Sequence, residues 1–444
     1  EAVGVPGTGA LLGEAHQQHG RLPWATTLKP AIRLARDGFR PSPRLRRSLG
    51  IAQRIGVDHS PAFQALYLPG GQPPPADQLF RNPALARSLE LLANDGGPSF
   101  YDGALAERIL AGMAALQTLQ PGFRGWTAAD LSSYAVVRRQ PLCRQQWNHR
   151  LCTMPPPSSG GLAVLQTLAL LEQDKELTDA SDPHTWRLLA RAQAWADADR
   201  LYWVHDPIDG AIPTGALLNP RYIQARSAAM QASPAQRPAP GLPPGMARYP
   251  FALPDQGREQ GTTHLAIVDG QGNLAAYTSS VETVFGSRHL VAGMVLNNQL
   301  TDFAFRPSIN GQPVANRRRP GRRPVSSMAP MIVFERGQPL LSVGSPGGRS
   351  IPHVLSRVLL ASLIWREPPA RAVGLPHLSR RRNGLVLEQD PPLPWPVALD
   401  QLTPGDQPIR RQRLGSGTAL LQKINGRWHG AADPRREGTA LSAD

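Results

Sequence analysis

Apolar and polar positions follow two different periods along this chain, and the change falls near residue 262. Before that point, apolar residues recur every three to four positions, which is typical of helices that bury one face. After it, they alternate with polar residues in short runs bounded by Gly and Asn, which is typical of strands. The pattern predicts a helix-rich first part and a second part of strands and helices, with no internal repeat.

This periodicity predicts the individual helices and strands, and Gly, Asn and Pro residues mark their ends. Helices are predicted over residues 24–36, 84–93, 104–117, 162–172, 185–202 and 350–364, and strands over residues 264–269, 274–280, 331–335, 340–343, 419–424 and 428–431. The stretch 233–261 is rich in Pro, Gly and Gln and has no period, so it is predicted to be an exposed linker.

Composition narrows the choice of partners. The chain of 444 residues carries a net charge of +15, but the basic residues are almost all Arg and are spread along the sequence. Aromatic residues do not interleave with the basic runs, which argues against a nucleic-acid partner. No apolar run approaches the roughly 20 residues that a transmembrane helix needs, so none is predicted. Residue 1 is Glu and the sequence does not open on a signal-peptide pattern, so we expect it to be processed or incomplete.

Only two cysteines occur, Cys143 and Cys152, on either side of a polar segment. If the flanking residues form a hairpin, the two thiols could meet across its strands as a disulfide, which would suit an oxidising compartment. Two separate buried thiols explain the pair equally well. Two ligands alone make no zinc site, so no metal is predicted.

Gly261-Thr262 is the first candidate for chemistry. A cut before Thr262 would free its α-amine, which titrates at about 7.7 to 8.0 and is then a suitable base for the hydroxyl of the same residue. The simpler interpretation is a β-hairpin whose first strand begins at Thr263.

Three other segments offer matching groups. Gly347 and Gly348 lie where a strand turns into a helix, so their amides are free to point at a developing oxyanion. Ser326 and Ser327 offer donors for a carboxylate, and Asp302 offers a countercharge for an ammonium. Each segment alone is more typical of a turn, a cap or the surface.

Taken in order, these motifs closely resemble the γ-glutamyltransferase (glutathione hydrolase) family of N-terminal-nucleophile hydrolases. The resemblance covers nearly the whole chain, and it rests on the segments GVPGT (4–8), ARDGF (35–39), MPPPSSGG (154–161), ADADR (196–200), TTH (262–264), FGS (285–287), LNNQLTDF (296–303), RPVSSMAP (323–330), VGSPGG (343–348) and GAADPRREGTAL (430–441). The resemblance implies an α+β, four-layer αββα sandwich without a cofactor. Residues 1–261 and 262–444 would be its large and small subunits.

The resemblance also assigns roles to residues. Thr262 would be the nucleophile freed by autocatalytic cleavage after Gly261, and Ser280 stands where the family has a helper threonine. Gly347 and Gly348 would stabilise the oxyanion. The remaining candidates would bind substrate, and they are Glu282, Gln299 and Asp302 for the ammonium and Ser326 and Ser327 for the carboxylate.

Two departures from the family pattern stand out. Glu282 occupies a position where the family often has Asn, which could narrow the choice of substrate. The family also has a segment before GVPGT that supplies an arginine for the glutamyl α-carboxylate, so we expect the sequence to be N-terminally truncated or its carboxylate recognition to be weakened. One of Arg317, Arg318 or Arg319 could partly replace that cation.

The resemblance implies hydrolysis or transpeptidation of γ-glutamyl compounds such as glutathione, with amino acids or peptides as acceptors. It also implies association of the two cleaved subunits and an exported, periplasmic or extracellular enzyme. Two alternatives stay open. One is a related acylase acting on glutaryl-type amides, and the other is an inactive truncated homologue.

Overall fold

The computed structural model describes residues 2–54, 60–233, 238–247, 261–381, 384–402 and 409–442, and its elements follow the two periods of the sequence. The α-helices of these residues are α1 Thr8–His19, α2 Trp24–Asp37, α3 Pro43–Arg54, α4 Pro61–Tyr67, α5 Pro83–Asp95, α6 Ala104–Leu119, α7 Ala128–Ser132, α8 Gly160–Leu171, α9 Pro183–Trp203, α10 Thr214–Leu217, α11 Pro220–Ala232, α12 Ile351–Leu363 and α13 Pro369–Gly374.

The strands of the described residues are β1 Leu142–Gln146, β2 His149–Thr153, β3 Thr262–Val268, β4 Leu274–Ser280, β5 Leu290–Val291, β6 Met294–Val295, β7 Ser308–Ile309, β8 Gln312–Pro313, β9 Met331–Glu335, β10 Gln338–Gly344, β11 Leu378–Arg381, β12 Gly384–Glu388, β13 Ile409–Gln412, β14 Ala419–Ile424 and β15 Arg427–Ala432. The helices and strands expected from the sequence are all present, with ends that agree within about two residues.

The chain divides into two compact units, and the first comprises Glu1–Arg138 and Val281–Leu300. Its core forms around α6, whose buried residues recur at helical spacing and pack with Val291 and Leu296. Gly112 on α6 provides the room for this packing, because a Cβ there would lie 2.6 Å from Cγ1 of Val291. The short insertion 281–300 is therefore held by apolar contacts with helices of its own unit.

The second unit, Arg139–Ser280 and Thr301–Asp444, is built on a six-stranded antiparallel sheet in the order β1-β2-β9-β10-β14-β15. The strand register aligns one row of residues across five strands, and the row consists of Thr153, Met331, Val343, Leu420 and Ala431. Four of the five are buried apolar residues of one core that also contains residues of α8, α9 and α12. Burial of this row against the helices fixes which face of each strand points inward.

The two faces of β10 show how the layers are stacked. Leu341 and Val343 are fully buried in the core with the helices. Ser342 and Gly344 alternate with them and meet the β3–β4 hairpin, since the Ser342 hydroxyl contacts Ala275 O at 3.5 Å and Gly344 lies against the His264 ring. The second unit therefore stacks helices, the six-stranded sheet and the hairpin in that order, as expected for an α+β protein.

The cysteine pair and the expected linker both make specific contacts. Cys143 and Cys152 are direct partners across β1 and β2, with Cα atoms 4.1 Å apart, and they form a disulfide. Much of the expected linker lies outside the described residues, but the part around Gly241 is anchored, because its amide donates to Asp199 at 2.8 Å. Among the described residues, no helix combines the length and hydrophobicity that a membrane crossing requires.

Candidate active site

Thr262 is the first residue of β3 and is only 5 % exposed. It pairs directly with Ser280, the last residue of β4, and the two side-chain hydroxyls are 3.1 Å apart. The Ser280 hydroxyl also lies 3.4 Å from the carbonyl oxygen of Gly261. One hydroxyl therefore contacts both the side chain of Thr262 and the carbonyl of the preceding peptide bond.

The turn at Asp269, which joins β3 to β4, determines that Thr262 pairs with Ser280. The Asp269 carboxylate accepts hydrogen bonds from the amides of Gln271 and Asn273, each at 2.9 Å. Such local bonds between side chain and backbone favour a tight turn. Because strand register propagates from the turn, seven residue pairs follow without a bulge, from Val268 with Leu274 to Thr262 with Ser280.

His264 lies two residues beyond Thr262, so both side chains point to the same face of β3. Its Nδ1 is 2.8 Å from the Thr278 hydroxyl, and burial lowers its pKa to about 4. The ring therefore remains neutral between pH 5 and 8. It fits against β10 only because residue 344 is Gly, since a Cβ there would lie 2.3 Å from ring atoms.

Gly347 and Gly348 follow β10 and precede α12. Both have positive φ, 142° and 55°, which a residue with a side chain adopts only with strain. Neither backbone amide has a hydrogen-bond acceptor among the described residues. Two free amides close to the N-terminus of a 13-residue helix are well suited to stabilise negative charge.

Ser326 and Ser327 act as acceptors within the protein. The Ser326 hydroxyl accepts from the Met328 amide at 3.1 Å, and the Ser327 hydroxyl accepts from the guanidinium of Arg200 at 3.2 Å. No other hydrogen bond of either hydroxyl occurs among the residues the structure describes. Each hydroxyl can therefore donate its proton to a ligand, which is the arrangement a carboxylate requires.

Asp302 belongs to the second unit, at the end of a 3₁₀ turn. Its carbonyl accepts from the side-chain amide of Asn316 at 2.7 Å, and the Asn316 side-chain oxygen accepts from Val325 N at 3.1 Å. Asn316 thus connects the Asp302 turn to the segment that continues into Ser326 and Ser327.

Glu282 and Gln299 belong to the first unit. Glu282 is buried, has a positive φ of 77°, and accepts a hydrogen bond from the side-chain amide of Asn298. The amide of Gln299 donates to the Asn297 side chain at 2.8 Å. Asn298 also lines a cavity of about 530 Å³ within this unit. The predicted roles of Glu282 and Gln299 remain predictions.

Two arginines contact candidate site residues, Thr262 and Ser327, although the sequence did not predict these contacts. Arg436 donates to the Thr262 carbonyl oxygen at 2.9 Å, and Arg200 contacts Ser327. Sequence offers two signals for Arg200, which are its place in the segment ADADR (196–200) and an Asp197–Arg200 pair at (i, i+3) on a largely buried helix. Arg436 lies in the segment GAADPRREGTAL (430–441), but no charge pattern there indicates that it contacts Thr262. The arginines considered as replacement cations have other contacts, since Arg317 donates to Val314 O at 3.2 Å and Arg319 pairs with Asp209 at 3.4 Å.

Comparisons with known proteins identify the family of the chain. A family model described as gamma-glutamyltranspeptidase matches residues 1–443. The glutathione hydrolase proenzyme of Escherichia coli is 30% identical over 446 residues, which cover 98% of this chain and 74% of that protein. The acylase ACY 1 proenzyme of Pseudomonas sp. strain V22 is 30% identical over 448 residues, covering 100% of this chain and 75% of that protein.

A solved structure of similar shape is the cephalosporin acylase from Bacillus halodurans, with a TM-score of 0.82 at 22% identity, covering 100% of this chain and 78% of that one. It shows the fold, which is that of the N-terminal-nucleophile hydrolases. Together with the relatives above, this fold identifies the protein as an enzyme. The chain belongs to the γ-glutamyltranspeptidase family. The expected family, fold class and enzymatic nature are confirmed.

Proposed function

We propose that Thr262 is the catalytic nucleophile of a γ-glutamyltransferase and glutathione hydrolase, and that the chain frees it by cutting the Gly261–Thr262 bond. The observation that carries this proposal is the hydroxyl pair of Thr262 and Ser280, 3.1 Å apart, beside the Gly261 carbonyl oxygen. Large and small subunits of residues 1–261 and 262–444 would result and would stay associated.

In the intact chain, Ser280 has two tasks in the proposed cleavage. Its hydroxyl accepts from Thr262 and donates to the Gly261 carbonyl, which makes the carbonyl carbon more electrophilic. Attack by the Thr262 oxygen transfers the Gly261 acyl group from nitrogen to oxygen and leaves the α-amine free. Water then hydrolyses the ester, which releases the Gly261 carboxylate and restores the Thr262 hydroxyl.

In turnover, the α-amine of Thr262 takes the hydroxyl proton while the oxygen attacks the γ-carbonyl of the substrate. The amides of Gly347 and Gly348 stabilise the oxyanion, and removal of one such donor typically costs about 3 to 4 kcal/mol of barrier. The proton passes to the leaving amine. Water, an amino acid or a peptide amine then takes the γ-glutamyl group from the ester.

The proposed binding of the glutamyl head group follows from charge and polarity. Ser326 and Ser327 each have a proton to donate to the α-carboxylate. Asp302 supplies a charged acceptor for the α-ammonium, and a carboxylate binds an ammonium more strongly than a neutral acceptor does. Glutathione and other γ-glutamyl amides have both groups.

Mass spectrometry and one chromogenic assay test the proposal. The purified protein should consist of two chains, residues 1–261 and 262–444, and release p-nitroaniline from its γ-glutamyl derivative. Thr262→Ala should remain one chain of 48.0 kDa without activity. Thr263→Ala is the matched control, because that side chain is exposed on the opposite face of β3. An uncut wild-type chain, or an active Thr262→Ala, contradicts the proposal.

A glutaryl-type acylase is the second candidate, and the similarity to an acylase proenzyme together with Glu282 at the position of an Asn favours it. The α-ammonium distinguishes the two. A γ-glutamyl transferase should cleave γ-glutamyl-p-nitroanilide much faster than glutaryl-p-nitroanilide, which lacks the ammonium. The reverse preference favours the acylase, and absence of both activities in a processed protein favours an inactive homologue.

Export to the periplasm or outside the cell is part of the proposal. The Cys143–Cys152 disulfide supports it, since such bonds persist in oxidising compartments. Alkylation before and after reduction, followed by mass measurement on protein taken from cells, tests the point. Cysteines that are alkylated without reduction would contradict it.

A further inference from the structure

Arg200, near the C-terminal end of α9, connects three segments of the candidate site. It is 4 % exposed. One Nη atom lies 3.2 Å from the hydroxyls of both Ser159 and Ser327, and the other lies 3.5 Å from the carbonyl of Arg349 in the turn that follows Gly348. One buried cation therefore contacts three separate segments. These are the segment 154–161 through Ser159, the segment 323–330 through Ser327, and the turn after Gly348 through Arg349.

A chain of polar groups on the far side of Arg200 compensates its charge. Its Nε donates to Asp197 at 2.6 Å, and the second oxygen of Asp197 is 2.9 Å from Nε2 of His353, whose Nδ1 is 2.6 Å from the Ser379 hydroxyl. Burial tends to raise the pKa of Asp197, but Arg200 and His353 outweigh it and hold that pKa below its usual range. Asp197 thus remains charged and keeps the guanidinium in place.

The two serines that Arg200 contacts differ in one respect. A guanidinium only donates, so both hydroxyl oxygens accept from it. Ser159 uses its own proton within the protein, donating to the Ser326 carbonyl at 3.0 Å. Ser327 has no acceptor for its proton among the described residues, although its side chain is buried. A buried donor without an acceptor is costly unless a ligand accepts from it.

We propose that Arg200 is a positioning residue for substrate recognition. Arg200 donates to the Ser327 oxygen, so the Ser327 proton is left to be donated to the α-carboxylate of the γ-glutamyl group. This inference rests on the proposed function, because it requires a substrate carboxylate at Ser327.

The experiment compares two substrates that differ only in the carboxylate. These are γ-glutamyl-p-nitroanilide and 4-aminobutyryl-p-nitroanilide, which keeps the amine and lacks the carboxylate. The ratio of their kcat/KM values measures carboxylate recognition. Arg200→Gln should lower this ratio about tenfold or more, as expected for loss of a charge-assisted hydrogen bond. A scaffold role alone would lower both kcat/KM values equally and leave the ratio unchanged.

Ser327→Ala and the double variant test the link between the two residues. If Arg200 acts through Ser327, the ratio of the double variant should equal that of Ser327→Ala. A double variant whose ratio is lowered by the product of the two single effects contradicts the proposal. Arg226→Gln is the matched control, since Arg226 is also a buried arginine ion-paired with an aspartate, Asp199 at 2.9 Å, but has no contact with the serines. Its ratio should match that of the wild type.

Three further outcomes bear on the proposal. If Arg200→Gln does not fold, Arg200→Lys replaces it, because lysine keeps the charge but lacks the planar fork that serves Asp197, Ser159 and Ser327 together. An unchanged ratio in Arg200→Lys would then overturn the proposal. A wild type that cleaves both anilides equally well overturns it while leaving the γ-glutamyl activity intact. A wild type that cleaves neither contradicts the proposed function itself.

Discussion

Arg436 donates a hydrogen bond from Nη1 to the backbone carbonyl oxygen of Thr262, at 2.9 Å. Its side chain passes Gly417, where a Cβ would lie 2.5 Å from Cδ of Arg436 and 2.7 Å from Cγ of Pro346. The neighbouring Arg435 anchors this C-terminal turn by bonds to both oxygens of Glu388, at 2.5 and 2.7 Å. The first residue of β3 is therefore fixed by a residue that lies 174 positions further along the chain.

Replacement of Arg436 should impair catalysis more than substrate binding. In Arg436→Ala, the start of β3 loses a charge-assisted hydrogen bond, and we expect kcat to fall about 10- to 100-fold with little change in KM. Arg436→Lys should recover part of this loss. Steady-state kinetics with γ-glutamyl-p-nitroanilide measure the effect. Arg427→Ala, an exposed position on β15, is the control, and equal losses in both variants would contradict a specific role.

Ser280 should control the rate of self-cleavage. Without its hydroxyl, the Gly261 carbonyl loses a donor and the Thr262 oxygen loses its neighbour, so Ser280→Ala should slow processing by about 100-fold. Ser280→Thr keeps the hydroxyl and should process. Gel electrophoresis at intervals after synthesis follows the two chains. The adjacent Ser279 alternates to the opposite face of β4, so normal processing is expected for Ser279→Ala.

Gly344 should not tolerate a side chain. A Cβ would lie 2.3 Å from ring atoms of His264, and neither the ring nor the sheet has room to move without cost. We expect Gly344→Ala to lower the free energy of unfolding by about 1 to 3 kcal/mol, as overpacked cores do, and to slow processing. Thermal melting measures the first effect. Gly270→Ala is the control because a Cβ there meets nothing within 4 Å. Equal melting temperatures for the two variants would contradict the steric argument.

His264 should make stability depend on pH. Burial lowers its pKa to about 4 from 6.5, so the unfolded state binds more protons between these values. Stability is therefore complete above about pH 6.5 and falls as the pH drops to about 4, by up to roughly 3 kcal/mol. His264→Asn in the uncut Thr262→Ala background should lose less melting temperature between pH 7 and pH 4.5 than Thr262→Ala alone. Identical losses would show that another group is responsible.

Most helices and strands of the second unit could be predicted from the sequence, because the signals for them are local. The alternation in residues 264–268 and the Asp269 turn define the β3–β4 hairpin, and seven paired positions then bring Ser280 to Thr262. The glycines of the segment 344–348 likewise indicate a tight turn before they indicate a catalytic one. Period and turn chemistry depend on neighbours in the sequence, which is why these elements were predicted within about two residues of their ends.

Contacts between residues far apart in the sequence could not be predicted in this way. The Arg200–Ser327 contact spans 127 positions, and the Arg436–Thr262 contact spans 174. Arg436 looks like one more basic residue in an arginine-rich chain, and nothing near it in sequence indicates that it approaches Thr262. Likewise, two cysteines nine positions apart were compatible with a disulfide or with separate thiols until the β1–β2 register made them direct partners.

The sequence by itself determined the elements, the order of the motifs and the residue types that chemistry requires at a self-cleaving threonine. These depend on local periodicity and on the intrinsic properties of side chains. Only the tertiary structure decided how each hydroxyl is used. Ser159 and Ser327 are both serines that accept from Arg200, yet one donates within the protein and the other keeps its proton for a ligand. That difference depends on which acceptors the folded chain brings within about 3 Å of each oxygen.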